Sequence, residues 1–326
     1  MWILKKDPNK AKIYRDWMKE KLSASFDKNG LFIFHYSNSL KQSHINGLKR
    51  TKAYKYLTLA RVEEYLTAAP QDLIRLHDLL ENEIAGQRSR KNNDEVIAHI
   101  FNYKKYFDKN FAYKVAGLVD VNTCCYCNRL YTLTVSTKKG EALIRPTFDH
   151  WFPQYKYPDL ALSYYNLIPS CSLCNTFLKH DNDRMNLNDF IHPYVDKKAY
   201  FKFTYRPLAQ DLYQVDTVIK APDQQTKLKV ENTLDLFKIK DIYDAHSEFE
   251  LKDLLDLKQE YPGDYIETLV SNVMKDLGIS EEEVYWSLFG IETQEDKYLN
   301  RPFSKFKTDI LAEIKANPHV KQKDNS

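Results

Sequence analysis

All five cysteines of the chain fall in one window: Cys124, Cys125 and Cys127, then Cys171 and Cys174. A C-x-x-C pair presents two thiolates from one tight turn, and two such pairs make the tetrahedral four-sulfur site that suits structural zinc. The spacing selects Cys124, Cys127, Cys171 and Cys174 as the ligands and leaves Cys125 over, since adjacent cysteines rarely both reach one ion. Two disulfides are the competing chemistry, but nothing in the sequence indicates the oxidising compartment they need. The second pair starts 44 positions after Cys127, whereas simple zinc ribbons separate their pairs by about 15–20 residues. The insert must carry chemistry of its own.

That chemistry centres on Asp149-His150, near the end of an alternating stretch. Asp149 is a hard oxygen ligand suited to Mg²⁺ or Mn²⁺. His150, with an ordinary pKa of about 6.5, can exist as a neutral base at working pH. Neighbours on a strand point to opposite faces, so the pair suits one ligand plus one base rather than two ligands of one ion, provided the strand ends there. A divalent cation beside a base is a pairing that can activate water for hydrolysis.

In order, the chain reads C-x-x-C (124–127), Asp149-His150 followed by Pro153, Asn166-Leu167, and Cys171-x-x-Cys174-Asn175 with Lys179 soon after. This succession resembles the HNH endonucleases, whose ββα-metal core is stapled by zinc. The stretch "FDHWFPQYKYPDLALSYYNLIPSCSLCN" also resembles nucleases found beside an ATPase in bacterial anti-phage systems such as Septu. The first resemblance implies that Asn175 is the second ligand of the catalytic metal, with His180, one step off register, as the alternative. It also implies that Asn166 ties the loop and orients His150. Lys179 is expected to meet a phosphate.

The elements that must position these residues follow from periodicity. Alternation over 130–137 and 142–148 around Lys138-Lys139-Gly140 predicts a β-hairpin whose second strand ends in Asp149-His150. Asp159 is expected to cap a short helix, 166–169 to be extended, and Ser170 to cap the helix carrying Cys171, Cys174, Asn175 and Lys179. Upstream, Asp7-Pro8 opens a helix to about residue 25, and helices are expected over 59–68, 70–85 and 94–107, with a short strand at 31–34. His77 and His99 lie within these helical patterns as surface or partly buried residues. Downstream come a second hairpin (201–205 and 212–219), a helix over 239–257 with His246 on its apolar stripe, and a capping box at Ser280 and Glu283. Ser304 starts a last helix, and the tail "KQKDNS" has a disordered composition.

The fold expected is therefore α+β: a basic helical region over 1–118, an HNH core with its zinc staple over 119–198, and a hairpin plus acidic helices over 199–326. At 326 residues with 43% hydrophobic content the chain can bury a sizeable core. No run of 18 apolar residues occurs and "MWILKKDPNK" turns charged after four residues, so a cytoplasmic protein is expected. Net charge is only +3, but residues 1–60 carry 13 Lys/Arg against 4 Asp/Glu, and residues 231–300 carry 6 Lys against 18 Asp/Glu. The basic end can face DNA phosphates; the acidic end is expected to dock a protein partner such as an ATPase. The function expected is a metal-dependent DNA endonuclease of anti-phage defence. The competing expectation is a non-catalytic zinc module that binds nucleic acid or a protein.

Overall fold

In the computed structural model, residues 1–37, 39–86, 89–180, 184–209, 212–260 and 280–316 are described. Helix outweighs strand 52% to 12%, and the strands form separate two-stranded sheets, so the class is α+β. The N-terminal helices form where capping residues start them. Asp7 accepts hydrogen bonds from the backbone N–H groups of Asn9 and Lys10 and opens α1 (Pro8–Ser23). Its buried residues, Ala11, Tyr14, Met18 and Leu22, recur at helical spacing. Helix α2 (Leu59–Thr67) and α3 (Pro70–Ile84) stand where periodicity placed them, and the chain leaves α3 through Gly86 at φ +70°.

Two expectations for the N-terminal region change. The helix expected over 94–107 starts earlier, as α4 (Arg90–Ile100), and stops before Asn102. Asn102 and Asp108 each accept a backbone N–H three residues on, restarting the chain as the short helix Tyr103–Tyr106 and then as α5 (Lys109–Val119). Such side chains compete with the backbone and so break one long helix into capped pieces. At 31–34 only the bridge Phe26–Phe32 forms.

The strand carrying Asp149 has a different partner from the one expected. β1 (Val135–Ser136) and β2 (Ala142–Ile144) close a small hairpin around Gly140 at φ +82°. Pro146 then interrupts the ladder, because it offers no N–H. The chain restarts as β3 (Thr147–His150), which pairs antiparallel with β4 (Leu167–Ser170), Asp149 facing Ile168 and His150 facing Leu167. The hairpin leaves Tyr131, Leu143 and Ile144 exposed, whereas β4 is buried throughout. Ser170 therefore ends a strand instead of capping a helix; a π-helical segment, Leu173–Lys179, follows.

β5 (Phe201–Ala209) and β6 (Leu212–Ile219) form the second hairpin as expected. Helix α6 (Gln224–Leu236) follows. The helix expected over 239–257 is broken into α7 (Ile239–Asp244), a π-helical stretch Ser247–Leu251 and α8 (Lys252–Glu260). Ser280 and Glu283 form their reciprocal capping box at the start of α9 (Glu281–Phe289), and α10 (Ser304–Ala316) packs against β5, where Asp309 accepts from the Phe203 N–H at 3.0 Å. Part of the acidic run and the tail lie outside the described residues. No helix among the described residues is long and apolar enough to cross a membrane.

These layers meet at residues 124–128. The Trp2 N–H donates to the Cys125 carbonyl at 2.8 Å, and its indole Nε1 donates to the Tyr126 carbonyl at 2.8 Å. The Tyr243 hydroxyl donates to the Cys127 carbonyl at 2.7 Å. Asn128 sits fully buried at φ +51°, a region Asn tolerates better than most residues, and its Nδ2 donates to Thr123 Oγ1 and to the carbonyls of Tyr298 and Arg301. Asn128→Ala strands these buried acceptors and should cost roughly 2–3 kcal/mol, read as a lower urea midpoint. An unchanged midpoint would show that the C-terminal segment is held by something else.

Candidate functional site

The four cysteines selected by spacing come together. The Sγ atoms of Cys124, Cys127, Cys171 and Cys174 all lie within 4.8 Å of one another, and all four residues are buried. A tetrahedral zinc with Zn–S bonds of about 2.3 Å needs sulfurs about 3.8 Å apart, so the set fits a structural zinc ion. The Cys174 N–H points at the Cys171 sulfur at 3.5 Å, a bond that favours a thiolate there. The thiols titrate as one unit: burial pushes Cys124 well up, while hydrogen bonds from the other three, Cys124 first, pull Cys127 down. Cys125 lies outside the cluster; burial pushes its thiol up to about 12, and its N–H donates to the Pro169 carbonyl.

Asp149 projects from β3 into a buried pocket of partners. Only 3% of it is exposed. The Lys179 ammonium reaches its Oδ1 at 2.9 Å and the His150 carbonyl at 2.7 Å, and the Tyr126 hydroxyl donates to its Oδ2. Lys179 is thus turned inward, 2% exposed, instead of facing solvent. The π-helical register places it there: the His180 N–H bonds back five residues to the Asn175 carbonyl. Such segments are frequent at functional sites because the extra residue re-aims side chains.

His150 ends the strand and faces away from Asp149, as alternation requires. Its Nε2–H donates to the Ala161 carbonyl at 3.0 Å, and its ring meets Tyr103 edge to face at 4.6 Å. Donation from Nε2 leaves the lone pair on Nδ1. Burial pushes His150 down to about 4, so the imidazole is neutral near pH 7. Asn166, fully buried, accepts from the Phe152 N–H at 2.7 Å and donates to the carbonyls of Phe152 and Leu160. It closes the loop that leaves His150. Asn175 shares the π-helical segment with Lys179 but is half-buried, and its side chain has no hydrogen bond among the described residues. His180 lies past the end of that segment, exposed, at φ +43°.

Sequence reasoning missed two features. Tyr126 links the first cysteine pair to Asp149, and the only signal for it was its place inside the C-x-x-C turn. Asp159 does not cap a helix: its carboxylate, 1% exposed, is paired with His77 Nδ1 at 2.9 Å. Three successive residues of this segment are therefore pinned from different directions: Asp159 by His77, Leu160 by Asn166 and Ala161 by His150. No spacing rule links positions 77 and 159.

Compared with family models, with curated proteins and with solved structures, the chain finds no match.

Cys171→Ser should drop bound zinc well below the expected one equivalent per chain, by elemental analysis, and lower the melting temperature, since metal binding is coupled to folding. Full zinc occupancy with an unchanged melt would refute the clamp. For His77, burial lowers the pKa, but the hydrogen bond and charge of Asp159 outweigh it, and the net shift is upward. A raised value gives stability that is complete below the unfolded pKa of about 6.5 and lost as pH rises through the folded value. His77→Ala should therefore destabilise the protein more at pH 6 than at pH 9; equal losses at both would mean that the pair gains nothing from protonation.

Proposed function

We propose that residues 124–180 form a zinc-stapled HNH endonuclease centre that hydrolyses DNA phosphodiester bonds, the nuclease effector of a bacterial anti-phage system. The observation that carries this reading is the order strand, loop, strand, helix around Asp149-His150, Asn166 and Asn175, held by four clustered thiols. The neutral imidazole of His150 supplies an Nδ1 lone pair to take a proton from water, while the Ala161 carbonyl fixes its tautomer. Asn166 holds the loop behind that carbonyl and acts on His150 through it. Asp149 is a carboxylate already balanced by a cation, Lys179, and Asn175 offers an amide oxygen that no protein group takes among the described residues. A Mg²⁺ or Mn²⁺ ion held by Asp149 and Asn175 would neutralise the phosphate charge and stabilise the leaving oxygen. In this reading Lys179 holds and balances Asp149, where the sequence suggested a phosphate contact.

A second reading, a non-catalytic zinc module binding nucleic acid or protein, is favoured by one specific observation. Both oxygens of Asp149 are engaged within the protein, by Lys179 and Tyr126.

Supercoiled plasmid incubated with the zinc-loaded protein and Mg²⁺ or Mn²⁺ separates the two. The nuclease reading expects metal-dependent nicking that His150→Ala lowers by about 10²-fold or more, the usual contribution of a general base. Cleavage by His150→Ala at the wild-type rate would remove His150 from the chemistry. No cleavage with either metal would favour the binding module.

A further inference from the structure

A recess of about 640 Å³ is lined by neither Asp149 nor His150. It is lined from four parts of the chain: the N-terminal strip, the start of the β5–β6 hairpin with the residues flanking it, the segment 295–298, and α10 through Lys305 and Asp309. Five of its lysines, Lys5, Lys197, Lys198, Lys202 and Lys220, are exposed, and none makes an ion pair among the described residues. The sixth, Lys305, is buried and satisfied by Asp309 and the Phe201 carbonyl, both at 2.8 Å. Glu295 and Asp296 are the remaining carboxylates, so the recess carries a surplus of positive charge.

Aromatic residues line it as well. Phe201 and Tyr298 are buried, the Phe201 ring held between Trp2 at 4.6 Å and the Lys305 ammonium at 4.5 Å, whereas Tyr200, between Lys198 and Lys202 in the chain, is half-buried. Tyr200 holds φ +53°, a strained conformation for a bulky residue, while its carbonyl accepts from the Lys220 N–H at 2.8 Å. That bond ties the two ends of the hairpin and brings the lysines at 198, 202 and 220 around one opening. Recesses of about 300–1,000 Å³ with apolar walls and a few convergent polar groups are the usual form of small-molecule sites.

We propose that this recess binds a nucleoside polyphosphate. The lysines meet the phosphates, the half-buried Tyr200 ring takes the flat base, and Glu295 and Asp296 can accept hydrogen bonds from sugar hydroxyls or an exocyclic amine. A lone phosphate would leave most of the volume empty, and a duplex backbone needs an open basic face where this is a concave one.

Titration calorimetry on the full, zinc-loaded chain, without added divalent metal, tests the site with ATP and inorganic tripolyphosphate as probes. Saturable binding of ATP at one site is expected, tighter than tripolyphosphate. The double variant Lys198→Glu/Lys220→Glu should weaken ATP at least tenfold while its melting temperature holds, since both side chains are exposed. His150→Ala should bind ATP as the wild type does, which separates this site from the candidate nuclease centre. Absence of saturable ATP binding, or an unaffected double variant, overturns the proposal. Equal affinity for tripolyphosphate overturns the nucleoside assignment. Displacement of ATP by a short DNA duplex that depends on the same lysines would assign the recess to nucleic-acid backbone instead.

Discussion

Four sulfurs can share one small buried volume in thiolate form only if a cation sits among them. Without that charge the thiols can only trade protons, each raising or lowering its neighbours, and the cluster becomes a cost of burial. A bound zinc reverses the sign, and the clamp then fixes more than the cysteines. The backbone carbonyls of residues 125–128 cannot reach water, so each must find a donor. Cys125 and Tyr126 find Trp2, Cys127 finds Tyr243, and Asn128 finds the Phe303 N–H. The turn that presents two sulfurs is thereby the junction of the N-terminal strip, α7 and the segment leading into α10.

Asp149 extends the same logic. A buried ion pair is weak evidence for stability, because two charges must be dehydrated before they attract, but removing one partner of such a pair typically costs about 3–5 kcal/mol. Its value lies in position. Lys179 ties β3 to the π-helical segment, and Tyr126 ties β3 to the cysteine turn, so one carboxylate is triangulated by three elements. Placing Tyr126 between two cysteines of the clamp makes the zinc site and Asp149 a single rigid body, with Phe237 stacked on the tyrosine ring at 4.1 Å.

Signals that are local in sequence were legible. The C-x-x-C pairs, the Asp7 cap, the Ser280 box, the stop at Gly86 and the hairpin over 201–219 each depend on a few neighbouring residues, and each stands where its chemistry puts it. Partner choice was not legible. Alternation marked 142–148 as strand, but which strand it meets was decided by Pro146 and by the burial available against β4. The inward turn of Lys179 depends on one extra residue per helical turn, which no side-chain pattern announces. His77 and Asp159 each looked like an ordinary helix residue; only the fold brings positions 82 apart into contact.

The junction at residues 124–128 also has a temporal meaning. Its partners lie at Trp2, 124 positions before Tyr126, and at Tyr298, Arg301 and Phe303, 170 positions or more after Asn128. Contacts of such sequence separation form late, since a long loop must close before any of them is rewarded. On a ribosome the cysteines emerge long before the residues that buttress them. A nascent chain can hold its four cysteines yet lack the donors and acceptors that complete the turn at 124–128, which gains its last partners only as synthesis nears residue 300.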